Sequence, residues 1–273
     1  MNRIFLIALN IIILNVNIFA QNDSLHIGNK IINDVELSFN NNLDYFTKPL
    51  KFNGSDWLKF AGVIAVTGGL MTVDKEVNQE VIKNNNNFQD GFTKIGKYYG
   101  EGYAMAGIPL IVYGSGLIFN SKSFRTTGRL LIESLAAAGL TTSLLKILIG
   151  RSRPYANDGE YKFNFFETKN IKNSLPSGHS TVAFTISTVL SERIDNIYAS
   201  IGLYSLATLT AYQRVYSNNH WLSDTFLGAA IGITAGKFFS DLEEERNSRN
   251  RISFQIMPTL NSGNIGFNLV LHF

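Results

Sequence analysis

Residues 130–154 read LLIESLAAAGLTTSLLKILIGRSRP. Leu130 to Gly150 is a helix-length apolar run, rich in the Gly, Ala, Ser and Thr that let helices pack closely. It ends in a cluster of cations, Lys146, Arg151 and Arg153, followed by Pro154. Proline disfavours helical backbone in the residue before it, so the reading ends the helix here and sets Arg153 in extended chain. Lys146 and Arg153 are seven apart and would share a face if the helix continued. Further apolar runs follow the same style at 57–73, 103–119, 181–190, 199–212 and 226–239. Several fall short of the roughly 20 residues that a full membrane span needs.

Two more clusters complete a chemical pattern. Pro176-Ser177-Gly178-His179 opens a helical run, and a helix start offers unpaired N–H groups and a partial positive charge. Gly178 allows close approach of an anion, and the Ser177 hydroxyl adds a donor. Arg214, His220 and Asp224 form the third cluster. His220 and Asp224 are four apart, one helical turn, where a carboxylate fixes the imidazole tautomer and raises the nucleophilicity of the other ring nitrogen. A phosphoryl transition state spreads negative charge over equatorial oxygens, so its catalysis is mostly positioning and charge stabilisation. Lys146, Arg153 and Arg214 supply three positive charges for that purpose. His220 is then the candidate nucleophile, forming a phosphohistidine, and His179 the candidate proton donor to the leaving alkoxide. Taken singly, each cluster has an ordinary reading: a snorkelling lysine, a helix stop, a helix cap, a surface His–Asp pair. The chain has only 4 histidines, and two of them fall inside these clusters, which favours the combined reading.

The pattern Lys146-x6-Arg153-Pro154, Pro176-Ser177-Gly178-His179, Arg214-x5-His220-x3-Asp224 resembles the type 2 phosphatidic acid phosphatase superfamily, with its class A acid phosphatases and vanadium haloperoxidases. The resemblance spans roughly Gly102 to Gly236. It implies an all-α fold, a bundle of about six helices with the active site at one end. It also implies no metal, no cofactor and phosphohistidine chemistry. Carried over by position, His220 is the nucleophile, Asp224 its orienter and His179 the general acid. Lys146, Arg153, Ser177, Gly178 and Arg214 bind phosphate. Gln213 stands where the family often has Ser, and 215–219 lacks a glycine frequent there.

Composition bounds the class. The charged fraction of 16% lies well below the roughly 25% of average soluble chains, and 45% is hydrophobic, which points to membrane contact or a large helical core. A net charge of +3 is too mild for a nucleic-acid partner, and the absence of cysteine excludes disulfides and thiol chemistry. Residues 1–20 resemble a secretory signal, with Arg3 before an apolar stretch and Ala20 before the cut. Residues 21–50 read as a loose polar arm, 51–241 as the helical phosphatase domain, and 242–273 as a charged tail plus a short C-terminal β-hairpin. The hairpin reading rests on period-two alternation either side of Asn261-Ser-Gly-Asn264. Lys122, Arg125 and Arg129 place the start of the 130–150 helix on the cytoplasmic side and hence Lys146 and Arg153 outside. A cleaved signal followed by six full spans gives the opposite sidedness, so the two readings conflict. The expectation is an exported protein, membrane-embedded or membrane-attached, with a periplasmic site acting on a lipid phosphate or pyrophosphate. The alternatives are a vanadate-dependent haloperoxidase and a non-catalytic envelope protein. The sequence assigns no oligomeric state.

Overall fold

The computed structural model describes residues 27–83, 87–251, 253–261 and 264–272. The candidate signal peptide lies outside them. Nine α-helices occur among the described residues: α1 (27–47), α2 (Gly54–Met71), α3 (Asp74–Lys83), α4 (Asn87–Tyr99), α5 (Gly102–Ile118), α6 (Lys122–Ile149), α7 (Gly178–Ile194), α8 (Ile197–Tyr216) and α9 (Leu222–Arg251). The chain then forms β1 (Ser253–Asn261) and β2 (Asn264–His272), paired antiparallel from Ser253 against His272 to Asn261 against Asn264. The count of about six helices is therefore low. The six apolar runs correspond to α2, α5, α6, α7, α8 and α9. The three additional helices are polar or amphipathic, and a search for apolar runs passes over them.

α7 is the centre of the bundle and packs against α6, α8 and α9. Leu130, Leu131, Leu135 and Ala137 of α6 meet Val182, Ile186 and Val189 of α7 and Phe239 of α9 in one buried cluster. The α7–α9 contact is set by Gly228, Gly232 and Gly236, spaced one turn apart. A Cβ at Gly228 would lie 2.4 Å from the Ser177 carbonyl oxygen, and one at Gly232 would lie 2.6 Å from that of Thr181. Those backbones touch because no side chain intervenes. The closeness matters because α7 begins at the second motif and α9 begins beside the third.

The N-terminal arm is the main correction. Its residues 27–47 are helical and run alongside α6 in the same direction. Lys30 bonds Asn120, Asp34 pairs with Arg125 at 3.4 Å, and Asn41 bonds Glu133. The helix is amphipathic in the inverted sense. Asp34 and Asn41 are buried, at 9% and 3% exposure, while Ile32, Val35 and Phe39 are exposed at 64%, 62% and 65%. The many asparagines hid this stripe from a compositional reading. Beneath α1, Arg129 joins Glu133 at 2.6 Å and Glu243 of α9 at 2.6 Å, and Arg246 closes the network on Glu243 and Asn41. Two of the three cations used above to orient α6 are thus ion-paired inside the protein, and the charge argument for sidedness loses their weight. α9 also continues unbroken through residue 242, so the charged tail extends a core helix.

Among the described residues, α6 alone is both long and apolar enough to cross a membrane; α2 and α3 qualify together if their 57° bend is taken as one broken span. That bend, at Thr72-Val73, turns the chain so that Asp74 enters the core.

Gly232→Ala should lower the melting temperature in detergent, against the roughly 1 kcal/mol that alanine gains over glycine in a helix. Gly202→Ala on α8, where a Cβ meets nothing within 4 Å, should leave it unchanged or raise it. Equal responses would show that the α7–α9 approach does not depend on Gly232.

Candidate active site

The first motif enters the site through a helix end. α6 stops at Gly150, whose φ of 59° is left-handed, and whose missing Cβ makes room for the Asn164 carbonyl. The stop is thus Gly150, four residues before Pro154. Lys146 lies in the last turn and donates to the Asn173 carbonyl at 2.6 Å. Arg153 follows in extended backbone. It donates to Asn170 through Nε and Nη2, at 2.8 and 2.7 Å, and to the Asn219 carbonyl at 3.2 Å. Its Nη1 stands 3.4 Å from His220 Nε2.

The second motif is the start of α7. Ser177 is fully buried and caps the helix, its hydroxyl accepting from the Ser180 N–H at 3.4 Å and the Ser180 hydroxyl at 3.1 Å. Both bonds use its oxygen as acceptor, so its own hydrogen is uncommitted. The Ser177 N–H donates to the Asp224 carbonyl at 2.9 Å, which ties the second motif to the third. Gly178 faces Lys146, since a Cβ there would sit 3.9 Å from the lysine Cε. His179 Nε2 is buried without a hydrogen-bond partner among the described residues and lies 3.6 Å from a Glu101 carboxylate oxygen.

The third motif differs from a simple helical pair. His220 precedes α9, in a loop that returns its N–H to the Arg214 carbonyl at 3.2 Å. Its Nδ1 is 3.6 Å from Asp224 Oδ2, too far for a hydrogen bond. Ser174 fills the gap: its hydroxyl donates to Asp224 Oδ2 and lies 3.3 Å from His220 Nδ1. A proton on Nδ1 shared with Ser174 leaves the Nε2 lone pair directed at Arg153. Arg214, at the end of α8, has a buried Nε with no partner and bonds Ser217 at 3.3 Å through Nη2.

Sequence reasoning gave Arg151 no role, and it is the most buried large side chain near the site. All five of its N–H groups are used. They bond the Glu160 carbonyl twice, at 2.9 and 2.6 Å, then Ser223 at 2.7 Å, Asp224 at 2.8 Å and Asp74 at 2.8 Å. The Ser223 N–H also donates to Asp74 at 2.9 Å. Asp74 belongs to a helix distant in sequence, and no local pattern announces it. Ser174 lies two residues before the Pro-Ser-Gly-His motif and outside it.

Electrostatics follow burial. Desolvation takes the His220 imidazole down to about 3, with Lys146 and Arg153 opposing a further positive charge. Burial pushes the Asp224 carboxyl up, but His220, Arg151 and Ser174 outweigh it and the net direction is down. Desolvation and the neighbouring Arg214 take His179 down to about 4, against the upward pull of Glu101. The pocket thus joins two imidazoles on which burial disfavours a proton, one carboxylate and the guanidinium groups of Arg153 and Arg214. Those guanidinium groups repel a metal ion and attract an anion.

The family model described as PAP2 superfamily matches residues 127–248, which contain all three motifs and the helices α6 to α9 that carry them. Over that segment the chain is similar to the PAP2 superfamily. It is similar to a lipid A 1-phosphatase of Porphyromonas gingivalis, 32% identical over 141 residues, covering 49% of this chain and 28% of the relative. It is also similar to a lipid A 4'-phosphatase of the same organism, 26% identical over 113 residues, covering 41% and 48%. The chain thus spans between about a quarter and half the length of these relatives. Among solved structures, Aquifex aeolicus LpxE aligns with a TM-score of 0.50 at 25% identity, over 62% of this chain and 95% of the other. A transmembrane PAP2-type phosphatidylglycerolphosphate phosphatase from Bacillus subtilis shares the fold, with a TM-score of 0.53 at 21% identity, covering 69% and 94%.

Arg151→Met should destabilise the protein by about 3–5 kcal/mol, because it strands two buried carboxylates. Adding Asp74→Asn should recover part of the loss, as read from thermal unfolding in detergent; no recovery would remove the pairing as the cause. The His220 shift makes a separate prediction. Its folded value is below the unfolded 6.5, so the unfolded chain binds the extra proton. The contribution of neutral His220 to stability is complete above about 6.5 and is lost as pH falls toward about 3. His220→Asn should flatten that slope.

Proposed function

We propose that the chain is a phosphatase that removes phosphate from a membrane lipid through a phosphohistidine on His220. The observation that carries this is the buried, neutral imidazole. Its Nε2 faces Arg153, in a pocket where His179 Nε2 and Arg214 Nε are buried with no hydrogen-bond partner among the described residues. Such a set accepts the non-bridging oxygens of a phosphate and leaves a nucleophile in line with phosphorus.

The steps balance as follows. The His220 Nε2 lone pair attacks phosphorus and the P–O bond to the lipid breaks. The departing oxygen takes the proton of protonated His179. Ser174 and Asp224 hold the proton on His220 Nδ1 and stabilise the cationic imidazole of the intermediate. Water then loses a proton to His179 and attacks phosphorus, the P–N bond breaks, and inorganic phosphate leaves with His220 restored. Desolvation and, after it, the charge of Arg214 disfavour a proton on His179, and an arriving phosphate neutralises Arg214. Charging of His179 is therefore linked to substrate binding. Lys146, Arg153, Arg214 and the free N–H groups at Gly178 and His179 hold the phosphate, with the Ser177 hydroxyl as a further donor.

Support for a lipid comes from the surface. Leu140, Leu144 and Leu148 of α6, Leu58 and Ile64 of α2, and Leu110 and Ile111 of α5 are exposed. These exposed apolar side chains, like those of α1, suit acyl chains rather than water. The relatives' names favour a lipid A phosphomonoester over phosphatidate, phosphatidylglycerophosphate or undecaprenyl pyrophosphate. An envelope membrane with the pocket on the periplasmic face fits that substrate.

The test is phosphate release in detergent from lipid A, those other lipids and p-nitrophenyl phosphate. Wild type should release phosphate best from lipid A, and His220→Ala should fall to the uncatalysed background while keeping its melting temperature. Normal turnover by the variant would overturn the nucleophile assignment. EDTA should leave the rate unchanged; loss restored by a divalent ion would overturn the metal-free reading.

A further inference from the structure

The turn between α4 and α5 delivers a carboxylate to His179, and the fold goes to some length to put it there. Gly96 and Gly100 let the end of α4 touch the neighbouring backbone. A Cβ at Gly96 would lie 2.6 Å from the Leu209 carbonyl oxygen of α8. One at Gly100 would lie 2.5 Å from Thr210 Cγ2 and 2.9 Å from the His179 carbonyl oxygen. The buried Thr210 hydroxyl donates to the Gly96 carbonyl at 2.8 Å and fastens the same end. Glu101 follows directly and opens α5, with its carboxylate 3.6 Å from His179 Nε2.

The charges around His179 come from four directions. Arg214 approaches from α8, Arg153 from the segment after α6, and Lys146 from α6 beside Gly178. Glu101 comes from the α4–α5 turn and is the carboxylate that opposes them; the Tyr103 phenol is a further titratable group beside it. At 3.6 Å, Glu101 acts on the ring by charge without bonding Nε2. The Nε2 hydrogen stays open to a leaving oxygen.

Resting on the phosphatase reading above, we propose that Glu101 is a positioning residue for the general acid. It holds the His179 ring with Nε2 in the pocket and favours the imidazolium once substrate is bound. Its effect is greatest for leaving groups that depart as poor alkoxides, the sugar and glycerol oxygens of lipids, and least for those that need no proton. Removing the carboxylate lowers the affinity of His179 for its proton. The alkaline limb of kcat, which reports the substrate complex, then moves to lower pH by about one unit, the low end for an opposite charge at this range.

The experiment uses the full chain in detergent. It follows kcat against pH for wild type, Glu101→Gln, Glu101→Asp and His179→Ala, on an alkyl phosphate and on p-nitrophenyl phosphate. Glu101→Gln should lose about tenfold on the alkyl phosphate, a fraction of the roughly 10²–10⁴-fold that a general acid contributes, and clearly less on the nitrophenyl ester. Its alkaline limb should shift down, and Glu101→Asp should recover part of both. Equal losses on the two substrates with an unmoved limb would overturn the proposal and leave Glu101 a structural residue. Equal losses for His179→Ala would overturn the acid assignment itself. A wild type inactive on every phosphate ester would overturn the phosphatase reading instead.

Discussion

The structure depends on one buried guanidinium. Arg151 sits between Asp74, brought in by the α2–α3 bend, and Asp224, at the start of α9, and it spends every N–H on a partner. Two buried carboxylates bonded to one guanidinium would be left without a counter-charge if it were removed. With Arg151 present both are anchored. Asp224 can then accept from the Trp221 N–H and from Ser174, whose hydroxyl lies 3.3 Å from His220 Nδ1. The placement of the candidate nucleophile thus rests on a buried ion pair.

Close backbone contact supplies the second constraint. The glycine ladder of α9 lets it lie against α7 so that Ser177 N–H reaches the Asp224 carbonyl. Glycines at the end of α4 bring the α4–α5 turn against His179 in the same way. The segments that carry the two imidazoles are thus held by close backbone contact, which suits a site that works by placement and charge. At the other end of the bundle, the Arg129–Glu133–Glu243 network faces inward under α1, and the apolar side chains of α1 face out. Polar groups are buried and paired there while apolar groups are exposed, the arrangement expected where the surrounding medium is hydrocarbon.

Much of the candidate site was legible because its residues occur in short runs. Lys146 to Pro154, Pro176 to His179, and Arg214 to Asp224 each place chemistry within a short run of about a dozen residues or fewer, and the structure brings all three runs to one pocket. What was not legible came from residues isolated in the chain. Asp74 reads as the first polar residue after an apolar run, Glu101 as a helix boundary, and Ser174 as part of a loop. α1 was misread because its apolar stripe is diluted by asparagine, and helix periodicity there competes with a strong compositional impression of disorder.

The amino-acid sequence by itself determined the motifs, the apolar helices and which residue types carry the chemistry, because these depend on local spacing and residue type; that Arg153 stands against His220 and Arg214 against His179 was decided by packing. Tertiary structure alone decided that Arg151 anchors Asp224, that Ser174 mediates between Asp224 and His220, and that Glu101 faces His179. It also decided that α1 turns its charges inward. Each of these is a long-range pairing. Its energy depends on burial and distance between segments far apart in the chain, and neither quantity exists until the helices have packed.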